Sequence, residues 1–237
     1  MTTTQTVAAD HFVSDGITIE VDVFTPPGAG RHPATVVFYG TFGLLPRYRD
    51  DILSFGTALA ARGIVAFLPH YFDRTGTSPG PDALTTIGRH YASWRRTCGD
   101  GLLFARSHAR VVDGRLGVLG FSLGGHMALS LGMAPPAGVT PACVVDFFGP
   151  VITPPLTGNR AAMPPLLVHH GLDDDLVTID HSRQLVSELR AAGKTEGVDY
   201  TLLEYPGQGH AFVGDALVTA RTTSVEFLTS ILEARHD

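Results

Sequence analysis

Three short stretches of this chain carry residue types that cooperate in acyl transfer. Gly120-Phe121-Ser122-Leu123-Gly124 sets a hydroxyl between two glycines, with Gly125 directly after. His169-His170-Gly171-Leu172-Asp173-Asp174-Asp175-Leu176-Val177 offers a row of carboxylates, and Gly209-His210-Ala211-Phe212 offers an imidazole. A serine hydroxyl is a weak nucleophile until a neighbouring base takes its proton, and that base needs a third group to hold its tautomer. Along the chain the three stretches come in the order serine, acid, histidine, each just beyond an apolar, strand-like run.

The glycines around Ser122 have a steric purpose. A sharp turn from strand to helix strains the serine backbone, and side chains at positions 120 and 124 would collide with neighbouring backbone. In a chain with 27 glycines, a chance match to this pentapeptide has a probability on the order of 0.1, so its surroundings must discriminate. They read as required: Arg115-Leu116-Gly117-Val118-Leu119 has the character of a buried strand, and the residues from His126 to Leu131 continue as a helix. That helix aims its first N–H groups at the reaction centre.

The elements that position these loops can be read from periodicity. Ile17, Ile19, Val21 and Val23 alternate with polar residues, as in a strand with one wet face, and Ser14-Asp15-Gly16 ahead of them can close a hairpin. Short continuous apolar runs follow at 34–39, 64–68, 116–119, 142–148, 166–168 and 200–205, the pattern of strands covered on both faces. Between them Ile52, Phe55 and Leu59 precede Gly63. Leu84, Ile87, Tyr91 and Trp94 recur at helical spacing, and Leu185, Val186 and Leu189 precede Gly193. This alternation predicts an α/β fold, a doubly wound and mostly parallel sheet with an antiparallel N-terminal hairpin, formed by residues 1–237 as a single domain.

On these motifs the chain resembles the α/β-hydrolase superfamily, and within it the dienelactone hydrolase family, over essentially its whole length. The resemblance rests on Gly120 to Gly125, on the H-G-x-x-D-x-x-V pattern from His170 to Val177, and on Gly209-His210 followed by Phe212. It implies a triad of Ser122, His210 and Asp174. The residues alone leave Asp173 and Asp175 open as the acid. It also implies an oxyanion hole built from the backbone N–H of Thr41, in the loop Tyr39-Gly40-Thr41-Phe42-Gly43, and that of Leu123. The chain departs from the family pattern at three places: Ser122 stands where the nucleophile is characteristically cysteine, Gly40 where an acid is usual, and Gly214 where an arginine is usual. Arg74 could replace that arginine as a grip on a substrate carboxylate.

Around the triad, Tyr39, Phe42, His70, Tyr71, Phe148 and Phe212 are candidates to line a substrate pocket, with Phe147 beside them, because each lies near a predicted strand end. The turn-rich stretch from Thr75 to Pro81 reads either as a short lid or as an inert connection. His126, four residues after Ser122 on the same helical face, is a rival base or a packed core residue.

Composition removes other classes. The 237 residues are 44% apolar with a net charge of -6, and seventeen scattered bases form no stripe that would neutralise a phosphate backbone, so no nucleic acid partner is expected. Two cysteines give no disulfide framework or CxxC metal site. Neither G-x-G-x-x-G nor a P-loop is present. No stretch is apolar enough to span a membrane and the first ten residues lack signal-peptide character, so no membrane partner and a cytoplasmic location are expected. The expected partner is a small-molecule ester-type substrate, with no metal or organic cofactor, in a monomer or homodimer. The chemistry implied is hydrolysis of an ester, lactone or thioester through an acyl-serine. An acyltransferase or cyclase would use the same triad, and a ligand-binding protein without turnover would not need it intact.

Overall fold

A computed structural model describes residues 6–152 and 155–234. Strands β1 (Thr6–Ser14) and β2 (Ile17–Thr25) form an antiparallel hairpin. Its turn is Asp15-Gly16, at φ 47 and 82, the left-handed pair that the twist of a two-residue hairpin demands. The chain continues through β3 (His32–Phe38), α1 (Pro46–Ala61), β4 (Val65–Pro69), α2 (Pro81–Ser107), β5 (Val111–Phe121) and α3 (Leu123–Met133). It ends with β6 (Cys143–Phe147), β7 (Leu166–Gly171), α4 (Asp180–Ala191), β8 (Tyr200–Tyr205) and α5 (Gly214–Glu233).

The strands make one eight-stranded sheet in the order β1-β2-β4-β3-β5-β6-β7-β8. β1 and β2 are antiparallel to their neighbours, and β4 through β8 run parallel. From β3 the chain steps to β4 on one side and then back past β3 to β5 on the other. Right-handed crossovers therefore place α1 on one face and α2, α3 and α4 on the other. The C-terminal α5 joins α1. This reversal beside β3 and β5 is a switch point, where the carboxyl ends of the strands leave a crevice.

Coverage on both faces explains the apolar runs, since every residue of β4, β6 and β7 is buried. Helix α1 buries Ile52, Phe55, Gly56, Leu59 and Ala60 on one stripe and stops at Gly63, whose φ of 80 releases the chain toward β4. Phe55 has no exposed surface and meets Phe121 and Phe147 edge-on. Its truncation to alanine is expected to cost about 3–5 kcal/mol. Among the described residues, no helix is long and apolar enough to cross a membrane.

Candidate active site

Between β5 and α3 the chain turns within a single residue. Ser122 has φ 54 and ψ -119, a conformation that L-residues rarely adopt and that is retained where the surroundings enforce it. Here a Cβ on Gly120 would lie 2.0 Å from the carbonyl oxygen of Gly124, and one on Gly124 would lie 2.2 Å from that of Phe38. A Cβ on Gly125 would meet Asp146 Oδ1 at 2.2 Å. All three glycines therefore let α3 start tight against β3 and β6. The N–H of Ser122 donates to Phe147 O at 2.8 Å, tying the turn to the neighbouring strand.

The loops after β7 and β8 meet at this turn. His210 Nε2 lies 2.8 Å from Ser122 Oγ, and its Nδ1 lies 2.8 Å from Asp174 Oδ2. Asp174 Oδ1 accepts the N–H groups of Leu176 and Val177 at 3.0 and 2.9 Å. Burial opposes ionisation of this carboxyl, but hydrogen bonds from His170, His210 and the Val177 N–H more than offset it and hold it well below the usual carboxylate range. Asp173 and Asp175 are exposed, and neither contacts the imidazole.

The H-G-x-x-D-x-x-V spacing has a mechanical reading. His170, fully buried, donates from Nε2 to Val177 O at 2.7 Å and places Nδ1 2.6 Å from Ser182 Oγ. The same Nε2 lies 3.5 Å from Asp174 Oδ2. Gly171 must lack a side chain because a Cβ there would sit 2.1 Å from Gln208 O, in the loop that brings in His210. Asp173 N–H binds that same carbonyl at 3.0 Å.

Thr41 and Leu123 are both buried beside Ser122. Leu123 is the first residue of α3, so its N–H has no intrahelical acceptor. The Thr41 loop is turned by a Gly43 N–H to Gly40 O bond of 2.9 Å, and Gly80 N–H donates to Thr41 O at 2.8 Å. A Cβ on Gly40 would lie 3.0 Å from Ser122 Cβ, so the glycine found at this position leaves room for the nucleophile.

A cavity of about 420 Å³ opens over Ser122 and His210, walled by Phe42, Phe55, Phe121, Phe147, Phe148 and Phe212. Phe148 is itself held at φ 44, with its ring 4.6 Å from that of His210. Of the residues expected to line a pocket, Phe42, Phe148 and Phe212 do so. Tyr39, His70 and Tyr71 do not. The 27-residue helix α2 covers the segment after β4, burying Tyr71 with its hydroxyl on Tyr39 O at 2.8 Å and its ring stacked on that of Tyr39 at 4.6 Å. His70 turns toward the hairpin and bonds Asp22 Oδ2 at 3.0 Å.

Arg74 likewise ion-pairs with Asp15 at the hairpin turn and is not among the cavity walls. Instead Arg47, at the start of α1, lies on the cavity wall together with Tyr48 and Asp51. Ile52, Phe55 and Leu59 share one face of α1, and Ile52 and Phe55 reach the cavity wall. Extending that stripe back one turn to Tyr48 would have shown a helix face reaching the site. The stretch from Thr75 to Pro81 packs against the Thr41 loop: Thr75 accepts from Trp94 Nε1 at 2.8 Å and Gly80 N–H donates to Thr41 O. His126 is no rival base. It is buried, donates from Nδ1 to Pro150 O at 2.6 Å and accepts from Tyr91 Oη at 2.9 Å, and desolvation lowers its pKa to about 4.

A family model described as "Dienelactone hydrolase family" matches residues 19–224. A carboxymethylenebutenolidase of Rhodococcus opacus is 32% identical over 198 residues, covering 78% of this chain and 71% of that protein. Among solved structures, a dienelactone hydrolase-like promiscuous phosphotriesterase from metagenomic libraries superposes with a TM-score of 0.81 at 21% identity, covering 96% of this chain and 98% of the other. Esterase 2 of Thermogutta terrifontis superposes with a TM-score of 0.69 at 19% identity, covering 95% and 94% of the two chains. At these identities the two structures are likenesses of fold.

Proposed function

The chain belongs to the dienelactone hydrolase family, and from that premise we propose that it is a serine hydrolase cleaving an ester-type bond, an ester, lactone or thioester, through an acyl-enzyme on Ser122. The observation that carries this reading is the 2.8 Å approach of His210 Nε2 to Ser122 Oγ, with Asp174 at the far side of the same imidazole.

Ser122 Oγ attacks the carbonyl carbon while His210 Nε2 takes its proton. Asp174 keeps the second imidazole proton on Nδ1 and stabilises the imidazolium, and its depressed pKa keeps it ionised while it does so. The backbone N–H groups of Leu123 and Thr41 donate to the developing oxyanion, each such donor lowering the barrier by about 3 kcal/mol in comparable sites. His210 returns the proton to the leaving group. Water then repeats the sequence and releases the acid.

The test is labelling with a fluorophosphonate probe followed by peptide mass spectrometry. Label on the peptide bearing Ser122, absent in Ser122→Ala, is the expected result. Label elsewhere, or undiminished in the variant, would falsify the assignment. A panel of esters, lactones and thioesters with product analysis then fixes the bond type.

A further inference from the structure

Ser122 stands where two cavities meet. The larger, about 420 Å³, has His210 and the phenylalanine cluster in its wall. The smaller, about 260 Å³, shares Thr41, Ser122 and Leu176 with the first but does not include His210. It begins at Leu123 and runs along aliphatic side chains, notably Leu84, Ile87, Ile152 and Val177. Resting on the serine-hydrolase reading, we infer that the substrate is an open-chain ester with two apolar halves, the alcohol half in the aromatic cavity beside His210 and the acyl half in the aliphatic cavity beside Leu123.

The assignment of halves follows from where the proton must go. In the tetrahedral intermediate the carbonyl carbon carries Ser122 Oγ, the oxyanion, the ester oxygen and the acyl chain. The ester oxygen must lie within hydrogen-bond reach of His210 Nε2, because that nitrogen delivers its proton as the bond breaks. The alcohol therefore extends into the cavity that His210 walls. With the oxyanion on the N–H groups of Leu123 and Thr41, the acyl chain is left the smaller cavity, which Ser122 also lines. When the carbon to ester-oxygen bond breaks, the alcohol departs with the proton and vacates the aromatic cavity. Water enters there, gives a proton to His210 and bonds to the acyl carbon, and His210 returns that proton to Ser122 Oγ as the acyl-serine bond breaks, so that ester plus water yields acid plus alcohol.

Two cavities that meet at Ser122 suit an open chain better than a small lactone. A lactone ring ties the acyl and alkoxy halves together on one side of the carbonyl, so it fills one cavity and leaves the other with water against aliphatic walls. Among the described residues, both cavities also lack a built grip for a substrate charge. Apart from His210, the charged side chains on the larger wall are Arg47 and Asp51, both exposed and of opposite sign. Among the described residues of the smaller wall, His181 is the one titratable group.

The test is a matrix of esters on the full chain, varying the acyl group from acetyl to octanoyl against one aryl alcohol, and the alcohol from methyl to naphthyl against one acetyl. Wild type is expected to gain roughly fourfold in kcat/KM per methylene up to the depth of the aliphatic cavity, the factor for burying one CH2. Ile87→Trp, with Leu84→Trp as a second variant at a more exposed position of the same wall, is expected to lower kcat/KM for octanoyl esters about tenfold more than for acetyl esters. Leu217→Trp, on the larger wall, should instead discriminate against naphthyl alcohols. Exchange of the two effects, no length dependence in either series, or a five-membered lactone preferred over every open-chain ester would overturn the inference. Fluorophosphonate labelling of Ser122 in each variant separates these outcomes. If wild type does not label there, the serine mechanism has failed; if it labels and the matrix is flat, the division into two halves has failed.

Discussion

His170 Nε2 donates to the carbonyl of Val177 across 2.7 Å, closing the loop that presents Asp174. A donor held by the first histidine of the motif thus sets the position of a carboxylate four residues later and a carbonyl seven residues later. Fixing the acid in this way orients the imidazole of His210, and so links loop packing to the chemistry proposed for Ser122.

His170→Ala should therefore weaken both stability and turnover. It leaves the buried Val177 carbonyl and Ser182 hydroxyl without their partner, at a cost of about 1–3 kcal/mol, measurable by denaturant unfolding. A freer Asp174 should lower kcat with little change in KM. A variant with lost stability but unchanged kcat would assign His170 to folding alone.

Asp174→Asn should cost about 10⁴ in kcat, as loss of the tautomer-fixing acid does in comparable triads. Asp173→Asn and Asp175→Asn should stay within about twofold of wild type, since both side chains face solvent. Steady-state hydrolysis of one aryl ester by the three variants measures this. A comparable loss at either neighbour would shift the acid's register.

Ser122→Gly should abolish turnover yet stabilise the fold by about 1 kcal/mol, because glycine adopts a φ of 54 without the strain that serine carries. The readout is the unfolding midpoint beside the residual rate. A glycine variant less stable than wild type would show that the turn is not strained.

Acid stability should follow buried groups away from the reaction centre. Desolvation lowers His126 to about 4 and His169 to about 3, so from pH 6.5 downward the unfolded chain binds protons that the folded chain refuses, and stability is lost as pH falls. Asp146 acts in the opposite sense. Desolvation raises it to about 7, so the folded chain keeps a proton that the unfolded chain releases from about pH 4 upward, and its contribution is lost as pH rises. Wild type should gain stability between pH 4 and 6.5. Asp146→Asn should steepen that gain by about 1.4 kcal/mol per pH unit, one proton's worth. Urea unfolding at half-unit intervals measures the slope, and an unchanged slope would mean that Asp146 is ionised in the fold.

What could be read from sequence alone was local. The Asp15-Gly16 hairpin, the apolar runs of the strands and the glycines around Ser122 each depend on conformations set within a few residues, where backbone sterics and burial on both faces leave one reading. That Ser122, a row of three aspartates and His210 each follow a strand was legible for the same reason. The middle aspartate, by contrast, was chosen by resemblance; its physical basis, two backbone N–H groups on one oxygen and two imidazoles near the other, appears only when the loops after β7 and β8 are packed together. The walls of the site also depended on tertiary structure. Tyr39, His70 and Tyr71 sit at strand ends as Phe148 does, yet α2 crosses back over the sheet and buries Tyr39 and Tyr71 while His70 turns to the hairpin, whereas α1 brings Tyr48 and Arg47 into their place. Which side chains at a switch point face the crevice is decided by the direction of each crossover, and that is a property of the assembled sheet.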